Sequence, residues 1–277
     1  MSSSCPLCHS PALARSLTVR GYRYGRCRGC RVWRLLDEAE ASLPTPPGSG
    51  DHELRVRVFG WTVAEIERWT GVGRLLDVGS GPGHLLEAAR RRGWETTGVD
   101  LDERAAALAR DLFGVETTIT AFRPGLVPDE SYDAVALHHS LEHLPDPLEA
   151  LAGARRALRP GGVLHVAVPN SRTIDRLWNR NALGDIFDPP RHRFVFSDRT
   201  LRLLVERSGF EVVVCRPQVS SLFHRFIVRE VTREASQNVV ARGTGPASPP
   251  QRALHVAAAL AHVVAPGSAV RLYALKP

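Results

Sequence analysis

The sequence predicts an α/β protein built on a mostly parallel sheet with helices on both faces. Three observations lead there. Short apolar runs alternate with amphipathic helical patterns from about residue 52 to 216. The first clear run, Arg74–Val78, opens into a loop with glycine at every second position: Gly79, Gly81 and Gly83. Glycine turns recur at Gly161-Gly162 and Gly209, where helical patterns end and apolar runs begin. Strands that alternate with helices pair in parallel, because a parallel return needs a crossover of helical length.

The elements follow in order. Residues 1–36 hold four of the five cysteines, as Cys5-x-x-Cys8 and Cys27-x-x-Cys30 with 18 residues between the pairs. That spacing fits a zinc ribbon. Four thiolates hold zinc tetrahedrally and leave no open position, so such a metal is structural. A segment this small has no core of its own, so zinc would supply its folding energy. Residues 37–50, ending Leu43-Pro-Thr-Pro-Pro-Gly-Ser-Gly50, read as a linker, and 51–277 as the main domain. There a helix is expected over 52–70, with Leu54, Val58, Trp61 and Ile66 as apolar points. Strand 74–78 leads to helix 83–92, strand 95–99, helix 102–113 and strand 115–119. A fourth strand, Tyr132–Leu137, precedes helix 147–158. The Gly161-Gly162 turn starts strand Val163–Val168. Helix 198–208 leads to a strand over Phe210–Cys215, where Cys215 reads as a buried apolar side chain. A helical insertion is expected over about 217–268, broken from Gly243 to Pro250, before a last strand at Ala269–Leu275. Seven strands result.

Composition narrows the class. Hydrophobic residues are 43% and charged residues 23%, ordinary for a globular protein. The net charge is +7, yet Lys276 is the sole lysine among 36 basic residues, so 35 are arginines. These are spread along the chain without a block, which reads as a solvated basic surface rather than a nucleic-acid footprint. No apolar run approaches the roughly 20 residues of a membrane span. With no leader-like N-terminal pattern, a cytoplasmic location is expected, where paired thiols bind metal more readily than they form disulfides.

The glycine loop carries the most chemistry. In Asp77-Val-Gly79-Ser80-Gly81-Pro-Gly83-His84, a buried strand runs into glycines and straight into a helix. Glycine lets the backbone approach a ligand closely, and the helix start favours a negative group. A nicotinamide dinucleotide loop would read G-x-G-x-x-G, which this spacing breaks. Asp77, just before the loop, can meet a cationic amine, so a ligand carrying both ammonium and carboxylate suits the pair. Asp100 ends the second strand, where a carboxylate can take both ribose hydroxyls.

Together these residues resemble the class I S-adenosylmethionine (SAM)-dependent methyltransferases, with their Rossmann-like seven-stranded sheet. Their first motif matches Asp77-x-Gly79-x-Gly81-x-Gly83, and their second motif's acid matches Asp100. Tyr132-Asp133-Ala-Val-Ala-Leu137 resembles their fourth strand, and Leu158-Arg-Pro160-Gly161-Gly162 the turn into their fifth. The resemblance covers about residues 52–216. It implies SAM as cofactor, held by Asp77, Gly79, Ser80, Gly81, Gly83, Asp100 and Leu101, with His138 at the end of the fourth strand. Many relatives have an acid after the third strand, near the adenine. This chain has Thr120-Ala121-Phe122 there, so Ala121 or Phe122 would pack on the base instead.

The acceptor side follows the fourth and fifth strands. In His138-His139-Ser-Leu-Glu142-His143, a helical turn would set His139, Glu142 and His143 on one face. Methyl transfer is an in-line displacement and, for a hydroxyl or acidic carbon, needs a base. A histidine near neutral pKa suits that task. The Glu142-His143 pair resembles the branch that includes the ubiquinone O-methyltransferases. Some of those bind a divalent metal here, but His139 stands where that pattern has an acid. His192, in Asp188-Pro-Pro-Arg191-His192-Arg-Phe194, is a second base candidate. Asp188-Pro-Pro differs from the Asp-Pro-Pro-Tyr motif of amino-group nucleic-acid methyltransferases, which follows the fourth strand and ends in an aromatic residue. The expected catalytic set is therefore His139, Glu142, His143 and His192. The function read from these motifs is methylation of a small molecule, such as a sugar or another natural-product intermediate. The alternatives are an rRNA or tRNA methyltransferase gripping RNA with its ribbon, and a non-catalytic SAM-binding accessory protein.

Overall fold

The computed structural model describes residues 4–38, 52–172, 186–218 and 269–277. The expected linker lies almost wholly outside these residues, as does the expected helical insertion.

Two sheets organise the chain. The larger has seven strands in the order β10-β11-β8-β7-β4-β5-β6. These are β4 (Arg74–Val78), β5 (Glu95–Asp100), β6 (Thr117–Ile119), β7 (Tyr132–His138), β8 (Leu158–Pro169), β10 (Glu211–Gln218) and β11 (Ala269–Leu275). β4, β5, β6, β7 and β8 are parallel, while β11 runs antiparallel between β8 and β10. From β4 the chain winds first towards β5 and β6, then crosses to β7 and β8. The carboxyl ends of β4 and β7 thus flank the switch point, where such sheets bind ligands.

Successive residues of a strand point to opposite faces, and the core divides accordingly. Leu76, Val78, Val135, Leu137, Leu164 and Val166 face α4 (Pro147–Ala157) and α5 (Asp198–Arg207). Leu75, Ala134, Ala136 and Val163 face α1 (His52–Thr70) and α2 (His84–Arg90). α1 buries Val56, Val58, Val63 and Ile66, of which Val58 and Ile66 were expected, whereas Trp61, read from the sequence as a further apolar point, is 56% exposed. The true stripe is turned around the helix from the one that Trp61 suggested.

Local chemistry sets the helix starts. Asp102 accepts from the Arg104 amide at the start of α3 (Glu103–Phe113). Asp146 accepts from the amides of Leu148 and Glu149, with Pro147 in the first turn of α4. Ser197 and Thr200 cap α5 reciprocally. β8 begins at Leu158, five residues before the strand expected from Val163. The Gly161-Gly162 turn lies inside the paired segment, with Gly161 at a φ of 74°.

The smaller sheet joins β1 (Leu13–Val19), β2 (Tyr22–Cys27), β3 (Trp33–Leu35) and β9 (Phe194–Val195). Three of its strands are N-terminal, and β9 comes from the segment after β8. Cys5, Leu7, Cys27 and Val32 share a buried cluster with residues of the main sheet.

Candidate active site

The glycine loop runs from the end of β4 into α2. Gly79 takes a φ of 75°, and a Cβ there would lie 2.5 Å from the Ser140 Cβ. Glycine is thus needed at this position, and the turn after β7 is seated directly on the loop. A Cβ at Gly81 would meet nothing within 4 Å, so the middle of the loop borders open space. Ser80 is buried, its hydroxyl 3.5 Å from that of Thr117.

The two carboxylates differ. Asp100 accepts from the amides of Gly81 at 2.7 Å and Asp102 at 2.8 Å, and so ties the loop to β5. Asp77 is buried, and its Oδ1 has no hydrogen-bond partner among the described residues. Burial, with help from the Asp100 charge, pushes its pKa up to about 8. An unpaired buried acceptor costs about 1–3 kcal/mol. A cationic amine beside Asp77 would remove that penalty and restore the carboxylate.

The other expected cofactor residues lie as follows. Leu101 is half exposed after β5. The Phe122 ring lies against α4, about 2.9 Å from where a Gly153 Cβ would stand. His138 ends β7, its Nδ1 3.2 Å from His165 Nε2, and Phe59 of α1 packs edge-on against it with ring centroids 4.8 Å apart. Burial keeps His138 and His165 neutral. Phe59 also stacks near His84, whose Nε2 is 3.0 Å from His52 Nδ1. Burial lowers the His84 pKa to about 4. Sequence reading missed this aromatic wall. The amphipathic stripe of α1 signals burial but not that Phe59 meets His84 and His138.

On the acceptor side, residues 141–143 form a turn rather than helix, with the His143 amide bonded to the Ser140 carbonyl. A single helical face is therefore not what brings the residues together. His139, at a φ of 55°, is half exposed, and its Nδ1 is 3.3 Å from Glu142 Oε1. His143 turns to the loop after β8, where its Nδ1 donates to the Arg191 carbonyl at 3.0 Å. His192 Nδ1 donates to the Ile186 carbonyl at 2.7 Å. Among the described residues neither ring's Nε2 has a hydrogen-bond partner, so each can accept a proton there, and their centroids are 4.9 Å apart.

Glu142 completes this group. It is buried, and its Oε2 has no partner among the described residues. Burial alone would raise its pKa, but the His139 hydrogen bond and the neighbouring histidines outweigh that and hold it below the usual glutamate value. Burial lowers the pKa of His192, against a smaller opposing pull from Glu142. One donor atom each from Glu142, His143 and His192 lies within 4.8 Å of the others. Such a set can stabilise an imidazolium or hold one cation.

Cys5, Cys8, Cys27 and Cys30 converge in the same way. Cys8 and Cys27 sulfurs are 3.4 Å apart, and those of Cys5 and Cys30 3.7 Å. A hydrogen bond from Cys30 lowers the Cys5 pKa to about 5, and the same bond raises that of Cys30. A soft four-thiolate set of this kind suits zinc. Cys215 lies apart, part-buried in β10, with its thiol donating to the Asp198 carbonyl.

The strand order, the loop after β4 and the acid at the end of β5 define the fold of SAM-dependent methyltransferases. A SAM-dependent methyltransferase structure from Archaeoglobus fulgidus superposes with a TM-score of 0.56, at 21% identity, over 82% of this chain and 95% of that one. The family model described as a methyltransferase domain matches residues 30–214. The chain belongs to this methyltransferase-domain family. Among curated relatives, a ubiquinone biosynthesis O-methyltransferase of Hahella chejuensis is 36% identical over 104 residues, which are 35% of this chain and 43% of that protein. One of Alkalilimnicola ehrlichii is 40% identical over 96 residues, 32% and 38% of the two chains. The matches thus span less than half of these relatives' length. No helix among the described residues is long and apolar enough to cross a membrane.

Proposed function

We propose that the chain transfers a methyl group from SAM to a small-molecule acceptor, such as a sugar or another natural-product intermediate. The observation that carries this reading is the Glu142–His143–His192 cluster, in which the turn holding Glu142 and His143 is seated against the glycine loop at Gly79 and His192 comes from the segment after β8. SAM supplies an electrophilic methyl on a sulfonium. The fit to it rests on unpaired Asp77, positioned for the amine, and Asp100, positioned for the ribose. His192 or His143 takes the acceptor's proton at Nε2, and buried Glu142 stabilises the imidazolium that forms. Residues 51–277 are the methyltransferase domain, and residues 1–36 the module that holds zinc on Cys5, Cys8, Cys27 and Cys30.

The deciding experiment offers the protein labelled SAM with hydroxylated small molecules in one arm and cellular RNA in the other. Label in the small-molecule pool supports the reading. Label only in RNA, or no binding of S-adenosylhomocysteine (SAH) by calorimetry, overturns it. Metal analysis separates the base from a cation at Glu142, His143 and His192, since a cation there would be a second metal per chain, kept by a Cys5→Ser, Cys27→Ser double variant and lost in His143→Ala.

Two further results are expected. Elemental analysis should find one zinc per chain, lost in the Cys5→Ser, Cys27→Ser double variant; unchanged metal content would refute the module. SAM binding should release a proton below pH 8. Asp77 titrates near 8 in the free protein, and an adjacent ammonium favours its charged form. Affinity should therefore rise from pH 6 to 8, with proton release visible by calorimetry in buffers of different ionisation enthalpy. For stability the sign is opposite. The unfolded chain gives up this proton near pH ~4, so ligand-free stability falls as pH rises from about 4 to about 8.

A further inference from the structure

We propose that the N-terminal cysteine module is a positioning element of the catalytic cluster, holding the His192 segment through Tyr24 and through the pairing of β3 with β9. The ribbon pattern alone suggests an appendage on a linker. The geometry points to a wall of the acceptor site.

Tyr24 is fully buried on β2, three residues before Cys27. Its hydroxyl lies 2.8 Å from the His192 carbonyl and 2.9 Å from the Phe187 carbonyl, so its one proton bridges both. Its ring meets Phe187 edge-on at 4.8 Å, and Trp33 of β3 meets the same ring at 5.6 Å. β3 then pairs with β9, Trp33 opposite Val195 and Arg34 opposite Phe194, and the Leu35 amide donates to the Arg193 carbonyl at 2.9 Å. From the other side, the amides of Arg193 and Phe194 donate to the Glu142 carbonyl at 2.9 and 3.2 Å. One short segment is thus bonded to the ribbon along one edge and to the Glu142 turn along the other.

His192 sits at the centre of this clamp. Its carbonyl is held by Tyr24 and its ring by the Ile186 carbonyl, in the same small core as Tyr24, Phe187 and Val195. The Ile186 carbonyl fixes the Nδ1–H tautomer only while residues 186 and 192 keep their spacing. The Cys27 amide bonded to the Val32 carbonyl closes the second cysteine knuckle between β2 and β3. A metal on the four thiolates therefore holds the two strands that carry Tyr24 and Trp33. Tyr24 is a positioning residue, acting through His192.

The consequence for turnover rests on the proposed role of His192, but the primary test does not. Long-range proton–nitrogen spectra of the imidazoles, with His192 assigned by its loss in His192→Ala, report the tautomer directly. In the metal-loaded protein His192 should show a fixed Nδ1–H tautomer. In Tyr24→Phe, which keeps the ring, the signal should move towards the averaged tautomers of a free imidazole. SAH affinity should stay within about twofold, and turnover should fall about tenfold for the lost hydrogen bonds. A merely structural tyrosine would lower the melting temperature and leave the tautomer alone. If Tyr24→Phe does not fold, mild chelation of the wild-type cysteine metal asks the same question and should give the same spectral change. An unchanged His192 signal in the metal-stripped protein overturns the proposal. So does loss of SAH binding together with the signal, since that would mean global unfolding. Wild-type protein that transfers no methyl group would sink the functional reading while leaving the spectral result standing.

Discussion

His192→Ala is expected to lower turnover by about 100- to 10,000-fold, the usual loss for a general base, with SAH affinity near that of the wild type. The ring is buried and held by its Nδ1–H, and burial keeps it neutral near pH 7. It enters the reaction able to accept a proton. His143, 4.9 Å away between ring centroids, is the other candidate, with its Nε2 free in the same way. Making His143→Ala separately identifies the base, because the residue that takes the proton should show the large loss. Glu142→Gln keeps the shape, removes the charge and should slow the same step. Wild-type turnover in both histidine variants would show that neither is the base. Equal losses in both, with a second metal per chain in the wild type that both variants lack, would instead identify a cation held by the cluster.

The second large effect is on cofactor affinity. Asp100→Ala should weaken SAM and SAH binding by about 10- to 150-fold, the equivalent of 1.5–3 kcal/mol for hydrogen bonds to a charged group. The upper end is expected, because Asp100 also holds the Gly81 and Asp102 amides and its loss loosens the loop itself. Asp77→Asn should weaken binding comparably and abolish the proton release. It should also leave the ligand-free protein at least as stable at pH 8, since a buried carboxylate whose Oδ1 has no partner among the described residues is replaced by a neutral amide. Calorimetry at two pH values with thermal melts checks all three. Unaltered affinity in both variants would remove the cofactor from this loop.

Much of this was legible in the residues. Apolar runs that end at Gly79 or begin after Gly162 and Gly209 mark strands and turns, because periodicity and glycine placement are local properties. The elements carrying the site were therefore readable along the chain. Asp77 and Asp100 were readable for the same reason, each lying at the end of a strand that delivers it to one edge of a parallel sheet. The four cysteines announced themselves by spacing. Where sequence reading went astray, a contact distant in sequence had decided the outcome. Trp61 looks like a core residue but points to solvent, because the sheet takes the adjacent stripe of α1. His139, Glu142 and His143 look like one helical face, yet the chain makes a tight turn there under Ser140 and the glycine loop.

The residues alone do not carry β1, β2, β3 and β9 of the smaller sheet, but they do carry the α/β class, the order of strands and helices that build the larger sheet, the glycine loop with its two carboxylates and the four-cysteine set. All of these depend on short-range patterns. Only the tertiary structure decided that Glu142 groups with His143 and His192, 50 residues further along, while His139 lies half exposed at the edge. It alone showed that Tyr24 of the ribbon reaches the carbonyl of His192. The physical reason is the same in each case. Which side chains share a buried space depends on how β3, β9 and the turn after β7 satisfy one another's backbone hydrogen bonds, and those partners are far apart along the chain.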